Sequence, residues 1–248
     1  MPDDPFAASA QGYAVIDTAA TPVRHWCEDP TVLAACGDVI GLSVLEAACS
    51  DGHFARLLRD AGAARIHGVD LSPAMIALAR QRCPDPAFSF QICDLAEMEP
   101  SGPYDLALLS YALTYAADRQ TLGRMARRVA DCLAPGGRIV ALVENPDLDP
   151  AATAGFARYG KSKYDEGALG EVRLTRVCWH QEGADPLCFT CHRWPEAALV
   201  ETLSASGFRD ITLSAPVLPQ ASRAAWPDGF WDDLEAAPLF AVLTALRG

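Results

Sequence analysis

Apolar and polar positions follow two alternating periods through the middle of the chain. Short, nearly continuous apolar runs such as Ser43–Ala47 and Tyr104–Ser110 predict buried strands. Between these runs, apolar residues recur three and four positions apart, as at Phe54, Leu57 and Leu58, which is the spacing of one helix face. Strand and helix therefore alternate from residue 43 to 144, and this pattern predicts an α/β fold with a parallel sheet.

The alternation stops after Asn145. Two β-like runs, 171–180 and 187–194, flank a turn and predict a hairpin inserted after the fifth strand. A helix over 195–206 and strands over 208–214 and 239–246 then complete a Rossmann-like, mostly parallel, seven-stranded sheet flanked by helices. We expect four parts, namely a helical lid (1–40), a ligand-binding core (41–145), a substrate-pocket insert (146–194) and a completion of the core sheet (195–248).

Acidic and polar residues stand at the predicted strand ends, where α/β sheets bind ligands. Asp70 follows Gly52 by eighteen residues, a position from which an acid can accept the hydroxyls of a ribose. The turn from Glu46 to Gly52 has one glycine, whereas a pyrophosphate needs three for close backbone approach. This turn favours a nucleoside without phosphates, and S-adenosylmethionine (SAM) is such a ligand.

The same segments resemble motifs of the class I S-adenosylmethionine-dependent methyltransferases. The matching stretches, in the family's order and spacing, are VLEAACSDGHF (44–54), GVDLSPAMIALA (68–79), CDL (93–95), YDLALLS (104–110) and LAPGGR (133–138). Trp26, Glu28 and the YALTYA run after the fourth strand are similar to small-molecule enzymes of the toxoflavin-type group. The resemblance covers residues 40–145 and the last fifty residues.

The resemblance implies a SAM-binding core and a role for each matching residue. Glu46 would orient the methionine end of the cofactor, Asp70 would bind the ribose, and Asp94 would accept the adenine amino group. The implied cofactor-binding residues are Glu46, Ala48, Gly52, Asp70, Leu71, Met75, Asp94, Leu95 and Ser110. Ser50 departs from the family's usual glycine, and we expect it to fit the turn with a negative φ or with a local side-chain bond.

The expected reaction is an in-line transfer of a methyl group to a nitrogen or oxygen atom of a small molecule, such as a natural product. The catalytic candidates are His180, as a general base, and Tyr111, Tyr115 and Tyr13, as hydrogen-bonding or cation-facing aromatic residues. Two alternatives remain open: a non-catalytic SAM-binding module, and an enzyme of the same fold with another reaction. We expect no metal, although Cys188 and Cys191 have zinc-ligand spacing. We do not favour Tyr159 and Lys163 as a dehydrogenase pair.

The composition of the chain restricts the kinds of partner that we expect it to bind. A formal net charge of −12 argues against nucleic acid, and no apolar run reaches the length of a membrane span. The nine cysteines are scattered through apolar stretches, so we expect buried free thiols and a cytoplasmic protein. The oligomeric state is left open between monomer and homodimer.

Overall fold

The computed structural model describes residues 20–153 and 155–248, so the candidate Tyr13 lies outside the described residues. Two sheets and seven helices of the α type make up most of this region. The strands are β1 (Ser43–Ala47), β2 (Arg65–Asp70), β3 (Phe88–Ile92), β4 (Tyr104–Ser110), β5 (Leu133–Glu144), β6 (Lys161–Leu169), β7 (Val172–Trp179), β8 (Leu187–Arg193), β9 (Phe208–Ser214) and β10 (Phe240–Arg247). The helices are α1 (Asp29–Cys36), α2 (His53–Asp60), α3 (Pro73–Arg82), α4 (Arg119–Cys132), α5 (Glu196–Ala205), α6 (Gln220–Ala224) and α7 (Asp232–Ala236).

The larger sheet has seven strands in the order β3-β2-β1-β4-β5-β10-β9. Strands β1 to β5 are parallel, and β10 runs antiparallel to both of its neighbours. The predicted seven-stranded, mostly parallel sheet is therefore confirmed. Because the five parallel strands end at one edge of the sheet, their terminal residues converge there.

The sheet is buried on both faces. All five residues of β1 are buried, as the nearly unbroken apolar run predicts for a central strand. Helices α1, α2 and α3 cover one face of the sheet, and their buried residues belong to one apolar cluster. Helices α4 and α5 cover the other face and contribute to a second cluster. Two of these helices begin at side-chain caps: the side chain of Ser72 accepts a bond from Met75 N before α3, and that of Asp118 accepts one from Thr121 N before α4.

The smaller sheet is antiparallel and consists of β6, β7 and β8. The predicted hairpin corresponds to β7 and β8, whereas β6 was not predicted. The sequence of β6 begins Lys161-Ser-Lys163, and both lysines are buried. Because apolar patterning identifies strands by their buried hydrophobic residues, a strand that buries ammonium groups escapes it.

The expectation of nine free cysteines is wrong for two of them. Cys178 on β7 lies directly opposite Cys188 on β8, with 4.1 Å between their Cα atoms, and the two form a disulfide. The other seven are free, and six of those are buried while Cys93 is half-buried. The disulfide also removes Cys178 and Cys188 from any set of zinc ligands.

Over residues 20–153 and 155–248, no helix is both long and apolar enough to cross a bilayer.

We expect thiol labelling of the protein, unfolded without reductant, to count seven reactive cysteines. After reduction the count should rise to nine, because only the Cys178–Cys188 bond is then opened. Peptide mapping by mass spectrometry should place the two new labels on β7 and β8. Nine labels before reduction would contradict the disulfide.

Candidate active site

The loop after β1 has an unusual backbone. Ala48, Ser50 and Gly52 have φ angles of 57°, 51° and 77°, in the left-handed region that favours glycine. Of the two expected ways for Ser50 to fit the turn, the negative φ is therefore wrong, whereas a side-chain bond is present, since Ser50 Oγ donates to Met75 Sδ (3.5 Å). The loop is also held by a bond that Ser50 N donates to Asp70 Oδ2 (2.8 Å).

Gly52 is required for packing. A Cβ at this position would lie 2.8 Å from Cys83 Sγ and 3.4 Å from the Phe90 ring, so the absence of a side chain lets α2 begin against α3 and β3. Gly52 is not among the residues that line the cavity described next. The implied role of Gly52, a close approach to the cofactor, is therefore not supported.

One cavity of about 310 Å³ opens at the carboxyl ends of the parallel strands. Such positions are where ligands bind in α/β sheets, and the volume is near the lower end for small-molecule sites, about 300–1,000 Å³. Apart from Gly52, every implied cofactor residue lines it: Glu46, Ala48, Asp70, Leu71, Met75, Asp94, Leu95 and Ser110. We call the part of the cavity that these eight residues form the cofactor end.

The acids at the cofactor end already hold backbone groups. Asp70 accepts from Ser50 N through Oδ2 and from Ser72 N through Oδ1, at 2.8 and 2.9 Å. Asp94 accepts from Ala96 N through Oδ1 at 2.8 Å, so it also caps the short turn that follows β3. Since a carboxylate has about four acceptor positions, these bonds fix the orientation of Asp70 and leave capacity for ligand donors.

Glu46 has no such bonds. Its side chain is fully buried at the end of β1, and neither carboxyl oxygen has a hydrogen-bond partner among the described residues. Burial raises the pKa of Glu46 well above its usual range, and the charges of Asp51 and Asp70 add to the effect. A buried carboxyl group without partners is costly, so this position is suited to a ligand that brings donors or positive charge.

Tyr111 and Tyr115 also line the cavity, and we call the part that they form with Lys161, Trp179 and Phe189 the inner end. Tyr111 follows β4 with φ 63°, and its hydroxyl donates to Glu28 Oε1 at 2.7 Å. Burial and the Glu28 carboxylate raise the pKa of Tyr111 well above its usual range. The Tyr111 hydroxyl therefore stays protonated and serves as a hydrogen-bonding group.

Glu28 and Lys161 form a buried ion pair at the inner end. Lys161 Nζ lies 2.9 Å from Glu28 Oε1 and 3.2 Å from the Tyr111 hydroxyl, and Arg24 Nε lies 3.0 Å from Glu28 Oε2. Although burial opposes ionisation, the Arg24 and Lys161 charges and the Tyr111 bond lower the pKa of Glu28 to about 2. Burial lowers the pKa of Lys161 despite the Glu28 carboxylate beside it.

Sequence reasoning missed most of the inner end. Lys161, Trp179 and Phe189 line it, together with Glu144, Val177 and Cys191. Lys161 Nζ lies 4.5 Å from the Trp179 ring centre, and Lys163 forms a fully buried ion pair with Glu144. The spacing of Lys161 and Lys163 could have indicated that both side chains lie on one side of a strand, since alternate residues of a strand share a face.

His180 is not among the cavity-lining residues. Its Nε2 lies 2.7 Å from Ser162 Oγ on β6, and burial lowers its pKa. This geometry gives no support to His180 as a base for a ligand in the cavity. His53, by contrast, lines the cavity and pairs through Nε2 with Asp29 Oδ1 at 2.7 Å.

The sequence is similar to those of several known methyltransferases. Residues 44–137 match a family described as "Methyltransferase domain". The chain is 24% identical to N-demethylindolmycin N-methyltransferase of Streptomyces griseus, over 74% of this chain and 76% of that protein. It is 32% identical to malonyl-[acyl-carrier protein] O-methyltransferase of Anoxybacillus flavithermus over 35% of this chain, an alignment that spans 34% of that relative.

The fold itself matches solved structures. An S-adenosylmethionine-dependent methyltransferase from Mesorhizobium loti superposes with a TM-score of 0.65 at 24% identity. The match covers 92% of this chain and 99% of that one. The match extends beyond residues 44–137 to most of the chain.

The cofactor end fits S-adenosylmethionine. This cofactor carries a sulfonium and an ammonium group, and the unpartnered Glu46 carboxyl lies in an acidic environment suited to positive charge. Asp70 stands at the end of β2 with acceptor capacity for ribose hydroxyls, and Leu71 and Met75 line the same end. The residues present are therefore those that such a ligand needs.

We expect S-adenosylmethionine binding to release a proton from Glu46. The raised pKa of Glu46 keeps its carboxyl protonated to higher pH than an exposed glutamate, and a neighbouring cation lowers that pKa. Between the two pKa values, affinity should therefore rise with pH, by up to about tenfold per unit. Isothermal titration calorimetry in buffers of different ionisation enthalpy measures the released proton.

The variant Glu46→Gln should bind more weakly, without proton release and with a flatter pH dependence. Asp105→Asn is the matched control, since Asp105 accepts from Ser43 on β1, and Asp105 is not among the residues that line the cavity. Equal proton release by wild type and Glu46→Gln would contradict the assignment.

Proposed function

We propose that the protein is a class I S-adenosylmethionine-dependent methyltransferase that methylates a nitrogen or oxygen atom of a small molecule held at the inner end of the cavity. The observation that carries this proposal is the continuity of one cavity from Asp70 and Asp94 to Lys161 and Phe189. Cofactor and acceptor would share one enclosure, as an in-line transfer requires.

The two relatives named above support both acceptor atoms. One is named as an N-methyltransferase and the other as an O-methyltransferase. The first aligns with three quarters of this chain and acts by name on N-demethylindolmycin, which favours an acceptor of natural-product type. The inner end adds aromatic walls, Tyr115 and Phe189, whose ring centres lie 6.5 Å apart.

When bound, S-adenosylmethionine would supply an electrophilic methyl group, which a lone pair of the acceptor would take while the electrons of the carbon–sulfur bond stay on sulfur. The protein's own residues align the reactants and exclude water. Asp70 would hold the ribose, Glu46 the charged end of the cofactor, and Tyr111 would border the acceptor. Each is a strand-end residue of a rigid sheet, which restricts its movement.

We expect the purified protein to form S-adenosylhomocysteine when S-adenosylmethionine is supplied with a mixed panel of amines, phenols and carboxylic acids. Asp70→Ala should weaken S-adenosylmethionine binding by about 10- to 100-fold, since a hydrogen bond to a charged group contributes about 1.5–3 kcal/mol. Calorimetric titration measures the dissociation constant, and a chromatographic assay measures product.

Asp105→Ala is the matched control for this variant. Asp105 also accepts bonds from backbone and hydroxyl groups, those of Ser43, but it is not among the cavity-lining residues. Both variants lose a carboxylate that orders a strand end, and only Asp70→Ala should lose cofactor affinity. Equal losses in the two variants, or no S-adenosylmethionine binding by the wild type at millimolar concentration, would refute the proposal.

A further inference from the structure

The Cys178–Cys188 disulfide lies behind the wall of the inner end. It joins β7 to β8 at one pair of the antiparallel ladder, and the next pair, Val177 and Phe189, lines the cavity. Trp179, which follows Cys178, lines the cavity as well. Because successive residues of a strand point to opposite faces, the disulfide lies on the outer face of the smaller sheet and the lining residues lie on its inner face. The bond therefore fixes the two strands of this wall to each other.

β8 is an edge strand of the smaller sheet, and hydrogen bonds tie its C-terminal half to the rest of the protein. Thr190 Oγ1 donates to Glu166 Oε2 at 2.7 Å, and Arg193 Nη1 donates to carbonyl oxygens of the 146–148 loop at 2.9 and 2.8 Å. Cys188 stands near the start of the strand, so the disulfide is the covalent tie of the N-terminal half. Without this bond, that half depends on the β7 ladder, and such an edge segment opens locally at a lower cost in free energy.

The two bonded cysteines differ in exposure. Cys178 is buried, whereas Cys188 is exposed, so a thiolate in solution can reach the disulfide from the Cys188 side. Exposed disulfides are the more easily reduced and the more often regulatory ones. The other seven cysteines of the chain are free thiols. Where thiols are kept reduced, a disulfide is usually transient and redox-sensing, and one disulfide beside seven thiols fits that pattern.

From these observations we propose that the Cys178–Cys188 bond is a redox-sensitive closure of the inner end, which a dithiol reductant opens. One thiolate of the reductant attacks Sγ of Cys188, and the S–S bond breaks with its electron pair on Sγ of Cys178, which takes up a proton. The second thiolate then attacks the mixed disulfide and releases Cys188, which takes up the second proton. Two electrons and two protons thus pass to the protein, and the reductant leaves as a disulfide.

Reduction lets the N-terminal half of β8 move away from β7 and opens the inner end to solvent. Phe189 moves with that half of the strand, so the wall that faces the acceptor changes while the strand ends of the larger sheet keep their positions. The inference goes beyond the proposed function, because it concerns access to the inner end for any acceptor.

Cys191 reports on this opening. Its thiol is buried at the inner end and donates to Thr175 O at 3.4 Å. Burial raises the pKa of Cys191, which keeps the thiol protonated and slow to react with alkylating reagents. Cys132 is also buried, but it belongs to the apolar cluster of α4 and α5. The ratio of the two alkylation rates therefore distinguishes opening of the inner end from loosening of the whole protein.

The first experiment is reduction of the folded protein with millimolar dithiothreitol, followed by thiol labelling and peptide mapping. We expect Cys178 and Cys188 to become labelled while the affinity of the protein for S-adenosylhomocysteine stays the same. A disulfide that resists the dithiol until the protein unfolds would overturn the proposal. So would loss on reduction of an affinity that the oxidised protein shows, because the bond would then stabilise the whole fold.

The second experiment compares the double variant Cys178→Ala/Cys188→Ala with the oxidised wild type, using iodoacetamide without reductant and mass spectrometry. We expect Cys191 to react at least about tenfold faster in the variant and Cys132 to react at the same rate, since removing a cross-link favours local opening. Thr190→Ala is the matched control: it removes a non-covalent contact beside Cys191 and should change the rate by less than about twofold. Equal Cys191 rates, or parallel increases at Cys191 and Cys132, would overturn the proposal.

Failure of this inference and failure of the proposed function give different results. A protein that binds S-adenosylmethionine but shows an unchanged Cys191 rate in the double variant keeps the proposed function and loses the redox-sensitive closure. A protein that binds neither S-adenosylmethionine nor S-adenosylhomocysteine loses the proposed function, and the alkylation rates still decide whether the disulfide controls the inner end.

Discussion

The buried ion pair between Glu28 and Lys161 is the interaction on which the enclosure of the cavity depends. Glu28 ends the segment Arg24–Glu28, which continues into α1, Lys161 begins β6, and the Tyr111 hydroxyl lies between them just after β4. Three separate parts of the chain therefore meet at one carboxylate. Because removing one partner of a buried pair leaves an uncompensated charge and costs about 3–5 kcal/mol, each part constrains the other two.

The Glu46 carboxyl determines the electrostatic character of the cofactor end. Neither of its oxygens has a hydrogen-bond partner among the described residues. A positively charged cofactor would be stabilised there, because charges interact strongly in a buried site of low dielectric constant.

The sequence predicted the cofactor end well and the inner end poorly. Glu46, Asp70 and Asp94 stand at the ends of strands that local apolar patterns identify, so their convergence follows from sheet topology. Lys161 and Glu28 lie 133 positions apart, and no local pattern relates them. The left-handed φ of Ser50 and the packing role of Gly52 were missed for a similar reason, since both depend on contacts with β2, β3 and α3.

The Glu28–Lys161 pair couples the segment before α1 to the smaller sheet. Urea unfolding of the wild type, Glu28→Gln, Lys161→Met and the double variant forms a double-mutant cycle that measures this coupling directly. We expect the double variant to lose less unfolding free energy than the two single variants lose in sum, with a coupling free energy of about 1–3 kcal/mol. Losses that add to within about 0.5 kcal/mol would contradict it, because the two side chains would then act independently.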